Sequence, residues 1–66
     1  MILKIDNKGC SKDEIFKTEF DFIVDANEYY HEHCTFDEDY DPNYTLVSFA
    51  EAKSLFEMED YTIKII

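Results

Sequence analysis

Tyr30-His31-Glu32-His33-Cys34 carries the most reactive side chains of the chain. Two imidazoles and a thiol are zinc ligands when they converge. On a strand, His31 and His33 share one face and Cys34 takes the other; on a helix, Cys34 aligns with Tyr30 instead. Neither conformation gathers three ligands from this segment, and Cys10 would join them only through a tertiary contact. Nucleophilic catalysis by Cys34, with His31 or His33 as base, needs an electropositive setting that lowers the thiol pKa. The surrounding sequence is the opposite. From Thr18 to Ala52 there is no Lys or Arg, against Glu19, Asp21, Asp25, Glu28, Glu32, Asp37, Glu38, Asp39, Asp41 and Glu51. The chain also lacks a Gly-rich phosphate loop, a Gly-x-Ser-x-Gly turn and a His-Glu-x-x-His pair. It is therefore expected not to be an enzyme and to use no cofactor.

Asp37, Asp39 and Asp41 have the alternate spacing of a calcium loop. That loop needs Gly at its sixth position for the turn and Glu at its twelfth as bidentate ligand. Those positions hold Pro42 and Ser48, so no metal is expected. A metal-binding module using His31, His33 and Cys34, or the Asp37–Asp41 loop, is the alternative reading.

The acids are interleaved with Phe20, Phe22, Tyr29, Tyr30, Phe36, Tyr40 and Tyr44. Carboxylates set among fixed aromatic anchors suit a basic protein partner. On one face of a strand side chains recur every ~6.6 Å, and duplex DNA presents one charge per ~1.7 Å of axis. A couple of adjacent acidic elements thus approach the charge density of a short duplex. The candidate partner-binding residues are Glu19, Asp21, Asp25, Glu28, Glu32, Asp37, Glu38, Asp39, Tyr40, Asp41 and Tyr44.

With 66 residues the chain makes a single domain with a marginal core. Its 45% hydrophobic and 17% aromatic content is that of a folded protein rather than an acidic disordered tail. Sixteen acids against six Lys give a formal charge of −10. That charge opposes direct binding to nucleic acid or to an anionic membrane. Met1–Ile5 is too short and too soon charged for a leader, and no apolar run reaches membrane-span length. A cytoplasmic protein with reduced thiols is expected.

These features imply a small α+β fold, a mixed or antiparallel sheet with one or two short helices. Ile2–Asp6 reads as a strand ending in the Asn7-Lys8-Gly9 turn. Ser11 and Glu14 have capping-box spacing, which predicts a short helix over 12–17. Residues 19–24 alternate acid and aromatic, and 28–36 are rich in β-formers. A hairpin is favoured there over a continued helix with Phe16, Phe20, Ile23, Tyr30 and Cys34 near one stripe. Residues 37–43 form a loop and 44–47 a strand; Ser48 and Glu51 then cap a helix from Phe49 to about Met58. Tyr61–Ile66 is the last strand, and the Ile-Lys-Ile pattern it shares with the first would let the two pair at the centre or edge of the sheet. Its apolar edge invites a second copy, so a homodimer is expected.

In length, charge, absence of Arg and interleaving of acids with aromatics, the whole chain resembles the small acidic DNA-mimic proteins of bacteriophages. The resemblance implies an inhibitor that fills the DNA-binding groove of a host protein, acting in the host cytoplasm. It places a nucleoid-associated protein of the HU type first among targets, and uracil-DNA glycosylase or a CRISPR effector second. Members of that class differ in fold, so it implies no topology.

Overall fold

A computed structural model describes residues 1–66. The chain runs β1 (Ile2–Asp6), β2 (Glu14–Phe16), α1 (Glu19–His33), α2 (Phe49–Met58) and β3 (Tyr61–Ile65). The strands form one antiparallel sheet in the order β2-β1-β3, an α+β architecture as the sequence predicts. The terminal strands pair, Ile2 facing Ile65 and Lys4 facing Ile63, with β1 central and β3 at the edge. Both helices cover the face that carries Ile2 and Ile63. Ile2, Phe22, Ala26, Leu46, Ala52, Phe56 and Ile63 make the core. Phe22 and Phe56 are fully buried with ring centroids 5.4 Å apart. Each contributes about 1.5–3 kcal/mol of transfer free energy.

Residues 19–33 form a helix, which corrects the expected hairpin. The alternation of Phe20 and Phe22 suggests a strand because both would then face inward. Instead Phe22 is buried and Phe20 is 73% exposed, as two residues 200° apart on a helix must be. The inward stripe is Phe22, Ala26 and Tyr29. Thr18 supplies the start, its hydroxyl accepting from the Asp21 amide, with Glu19 and Asp21 in the dipole-favoured first turn.

Residues 12–17 are not helical; 14–16 pair with β1 instead. Ser11 gives its amide and hydroxyl protons to the Asp6 carboxylate, which also accepts from the Lys8 and Cys10 amides. That carboxylate, together with Gly9 at φ +73°, closes the turn that sends the chain back along the sheet. Residues 44–47 form no strand. They lie along α1, where the Asn27 carboxamide accepts from the Leu46 amide at 2.8 Å and donates to its carbonyl at 3.0 Å. Ser48 caps α2 as read, its hydroxyl accepting from the Glu51 amide, while the Glu51 carboxylate accepts from that hydroxyl rather than from the Ser48 amide of a full capping box.

Candidate interaction surface

Helix formation re-sorts the acids of 19–33. Asp21, Asp25, Glu28 and Glu32 follow at spacings of four, three and four, so they share one face, which flanks the Phe22–Ala26 stripe about 100° around the helix. At 1.5 Å per residue the row is about 16 Å long, with neighbours about 4.5–6 Å apart along the axis. Asp21, Glu28 and Glu32 are exposed and Asp25 is half-buried. Glu19 stands apart from the row, at the first position of the helix.

Asp25 is drawn inward by Lys4. Strict alternation along β1 turns Ile2, Lys4 and Asp6 to the covered face. The Lys4 ammonium lies 2.8 Å from Asp25 and 3.1 Å from Glu14, and 4.4 Å from the Phe56 ring centroid. Burial acts to lower the Lys4 pKa, but the hydrogen bonds to Asp25 and Glu14 outweigh it and the net shift is upward. Beside this pair a polar cleft of about 570 Å³ separates the acidic row from the β1–β2 turn. Glu28, Glu32 and His33 line its α1 wall. Every carboxylate of the row except Asp25 lacks a cationic partner on Lys or Arg.

The Asp37–Asp41 loop lies elsewhere, against the Tyr30 side of α1 and the end of α2. Tyr40 and Tyr44 hold it in place. The Tyr40 hydroxyl is 2.8 Å from His31 Nδ1, the Tyr44 carbonyl is 2.9 Å from His31 Nε2, and Tyr30 accepts from the Asp41 amide. The Tyr44 hydroxyl donates to Glu51, which pushes the tyrosine pKa up and the glutamate pKa down. Tyr40 is half-buried and Tyr44 42% exposed, so each is partly open to solvent. Asp37, Glu38, Asp39 and Asp41 are all exposed. The eleven candidate residues therefore form two patches, the α1 row and the loop.

The His/Cys cluster is dispersed. Both ring nitrogens of His31 are engaged within the loop. His33 stacks on Tyr29 at 4.6 Å, on the cleft side. Cys34 is buried beneath Asp37 and Glu59; burial first, then the Glu59 hydrogen bond and charge, push its thiol up to about 11. The sulfur and those two carboxylates lie within 4.8 Å of one another, a different set from the one the sequence suggests. Cys10 is exposed and unpaired in the β1–β2 turn.

Sequence reasoning missed Lys4, whose strand position gives no hint of a salt bridge to a helix. It also missed the coherence of the acidic row, although the four-three-four spacing is readable once 19–33 is taken as helical. No helix is long and apolar enough to cross a membrane. Compared with known protein families, curated proteins and solved structures, the chain matches none of them.

Proposed function

We propose that the protein is a non-catalytic inhibitor that occupies the DNA-binding groove of a basic protein and keeps nucleic acid out. The observation that carries this reading is the row of Asp21, Glu28 and Glu32 on one helix face, with Asp25 between them held by Lys4. A rigid helix fixes these charges along a line of about 16 Å. One strand of a duplex carries a phosphate every ~3.4 Å of axis, so the row is sparser but runs in the same linear manner. The Asp37–Asp41 patch adds charge on a second side of the molecule. Binding would release fewer counterions than DNA binding does, because an isolated helix face condenses fewer of them.

An open, basic, two-armed cleft of the HU type is the first target, ahead of a uracil-DNA glycosylase or a CRISPR effector. The second partner is another copy of the chain. β3 is an edge strand with Ile65 and Ile66 69% and 58% exposed, and pairing across it would join two sheets.

The test is competition. An HU-type protein is bound to a short fluorescent duplex and titrated with this protein, with parallel titrations on a glycosylase. Stoichiometric loss of duplex anisotropy supports occlusion. Retention of the duplex by every basic protein tried, at excess inhibitor, refutes it.

A further inference from the structure

We infer that the groove between α2 and residues 44–46 is a docking site for a basic peptide segment of a partner protein, anchored by apolar side chains. The hollow is about 390 Å³ and lies on the opposite flank of α2 from the buried Ala52 and Phe56. Its walls are Tyr30, Tyr44, Leu46, Ala50, Leu55 and Met58, and Met58 is 81% exposed. A volume of this order is typical of ligand sites, and a cluster of apolar side chains left open on a small surface marks an interaction site.

Charge complementarity identifies the occupant. The groove shares Tyr30, Leu55 and Met58 with a second hollow of about 490 Å³ lined by Asp37, Glu38, Asp39 and Glu59. Apolar and anionic halves are thus joined end to end, and neither contains a Lys. Glu51, at the far end, is held anionic by the Tyr44 and Ser48 hydroxyls. From Ala50 to Met58 the α2 wall is about 12 Å long, which an extended segment of about four residues crosses. Apolar side chains on that segment would fill the first hollow, and Lys or Arg following them would reach the second. An acidic or purely apolar ligand leaves the carboxylate half unmatched. The site uses none of the carboxylates of the α1 row and shares only the Asp37–Asp39 loop acids with the duplex-groove reading, so a variant neutralised in the row separates the two.

Met1 and Met58 are the chain's two methionines, so ε-methyl labelling gives a probe inside the groove and a control at the opposite end of the chain. The ligand is a synthetic peptide with two leucines followed by three arginines; its partner peptide has serine in place of leucine. The leucine peptide should shift the Met58 methyl signal saturably and leave Met1 unmoved, and the serine peptide should bind at least tenfold more weakly. Met58→Lys and Ala50→Lys, at exposed positions, should each weaken the leucine peptide about tenfold with unchanged circular dichroism. Neutralising Asp21, Glu28 and Glu32 together should leave it bound. Equal binding of both peptides, or an unmoved Met58 signal, overturns the proposal. So does a Met58 shift that depends on protein concentration alone, which would assign the groove to a second copy.

Discussion

The Lys4 ammonium bridges sheet and helix, 2.8 Å from the Asp25 carboxylate and over the Phe56 ring. Lys4 is only 5% exposed, so its charge depends on that partnership. Removing one member of a buried pair typically costs about 3–5 kcal/mol, whereas replacing the whole pair by apolar residues of similar volume is often neutral. Lys4→Ala should therefore destabilise by about 3 kcal/mol or more, leaving both a void and two unmatched carboxylates. Lys4→Met should restore the packing of the stem among Phe16, Phe56 and Tyr61 but still leave Asp25 and Glu14 unmatched, so it should cost less than Ala, about 1–2 kcal/mol. Asp25→Asn should fall between them, because Glu14 still faces the ammonium. Urea denaturation of the three variants checks the order.

The carboxylate row makes an opposite demand on stability. Asp21, Asp25, Glu28 and Glu32 are like charges at i, i+3 and i, i+4, each pair costing about 0.2–0.5 kcal/mol. Asp21→Asn, Glu28→Gln and Glu32→Gln combined should raise the melting temperature. The same triple variant should lose at least tenfold in affinity for the basic target, while each single change costs under about 1 kcal/mol. A gain in stability with a loss of binding is the signature of a surface kept for its partner. A salt titration of the complex should also be shallower than that of the target with duplex; equal slopes would count against mimicry.

Elements whose signals are local were legible in the sequence. Ser48 with Glu51 started α2, and the apolar terminal strands found each other. The failures have a common physical origin. Ser11 with Glu14 satisfies the spacing of a cap, but Asp6 sits five residues earlier and takes the Ser11 protons. Glu19-Phe20-Asp21-Phe22 fits a period of two over four residues, too short a window to reveal that Phe22, Ala26 and Tyr29 hold the longer helical period. Side-chain hydrogen bonds, invisible in an apolar pattern, decided both: local ones to Asp6 set the β1–β2 turn, and tertiary ones from Asn27 placed the 44–47 segment. The acidity of the candidate site was legible, but its division into a helical row and a separate loop was not.

Stability should fall on the alkaline side sooner than for an ordinary acidic domain. Folding raises the Cys34 thiol from its usual 9.0 to about 11, through burial and Glu59. It raises Tyr29 from 10.0 to about 12, again mainly through burial. In each case the folded state holds the proton more tightly than the unfolded chain. The resulting stabilisation is complete below pH 9 and is lost progressively from about pH 9 to 12. Lys4, also raised, acts in the same direction from its ordinary 10.5 upward. Denaturation series at pH 8, 9.5 and 10.5 should show the decline, and Tyr29→Phe should flatten its upper part. Thiol labelling at pH 8 should modify the exposed Cys10 well before Cys34.

Dimerisation across β3 has a specific backbone prediction. Met1 and Ile66 exchange hydrogen bonds, so alternation along the antiparallel ladder turns the amides of Tyr61, Ile63 and Ile65 to the open edge. Ile65→Pro removes one of these donors at an exposed position and should shift sedimentation from dimer to monomer without unfolding the chain. Sedimentation of the parent as a monomer at high micromolar concentration would remove the second copy from the proposed function.

Asn27 makes the most demanding structural prediction. Its carboxamide spans from the Ile23 carbonyl, at 3.1 Å, to both polar groups of the Leu46 backbone. Leu46 is 4% exposed, so its amide and carbonyl lose their only shown partners if the carboxamide goes. Asn27→Ala should cost about 2–3 kcal/mol on that account. Asn27→Asp should be worse than Ala, since a carboxylate still accepts from the Leu46 amide but faces the Ile23 and Leu46 carbonyls with no proton to give. The readout is amide exchange. In Asn27→Ala the Leu46 amide should lose its protection while the β1 amides keep theirs, and the groove that Leu46 lines should lose its affinity for the leucine peptide. Unchanged Leu46 protection would mean that packing of its side chain against the core, rather than the Asn27 carboxamide, holds residues 44–47 in place.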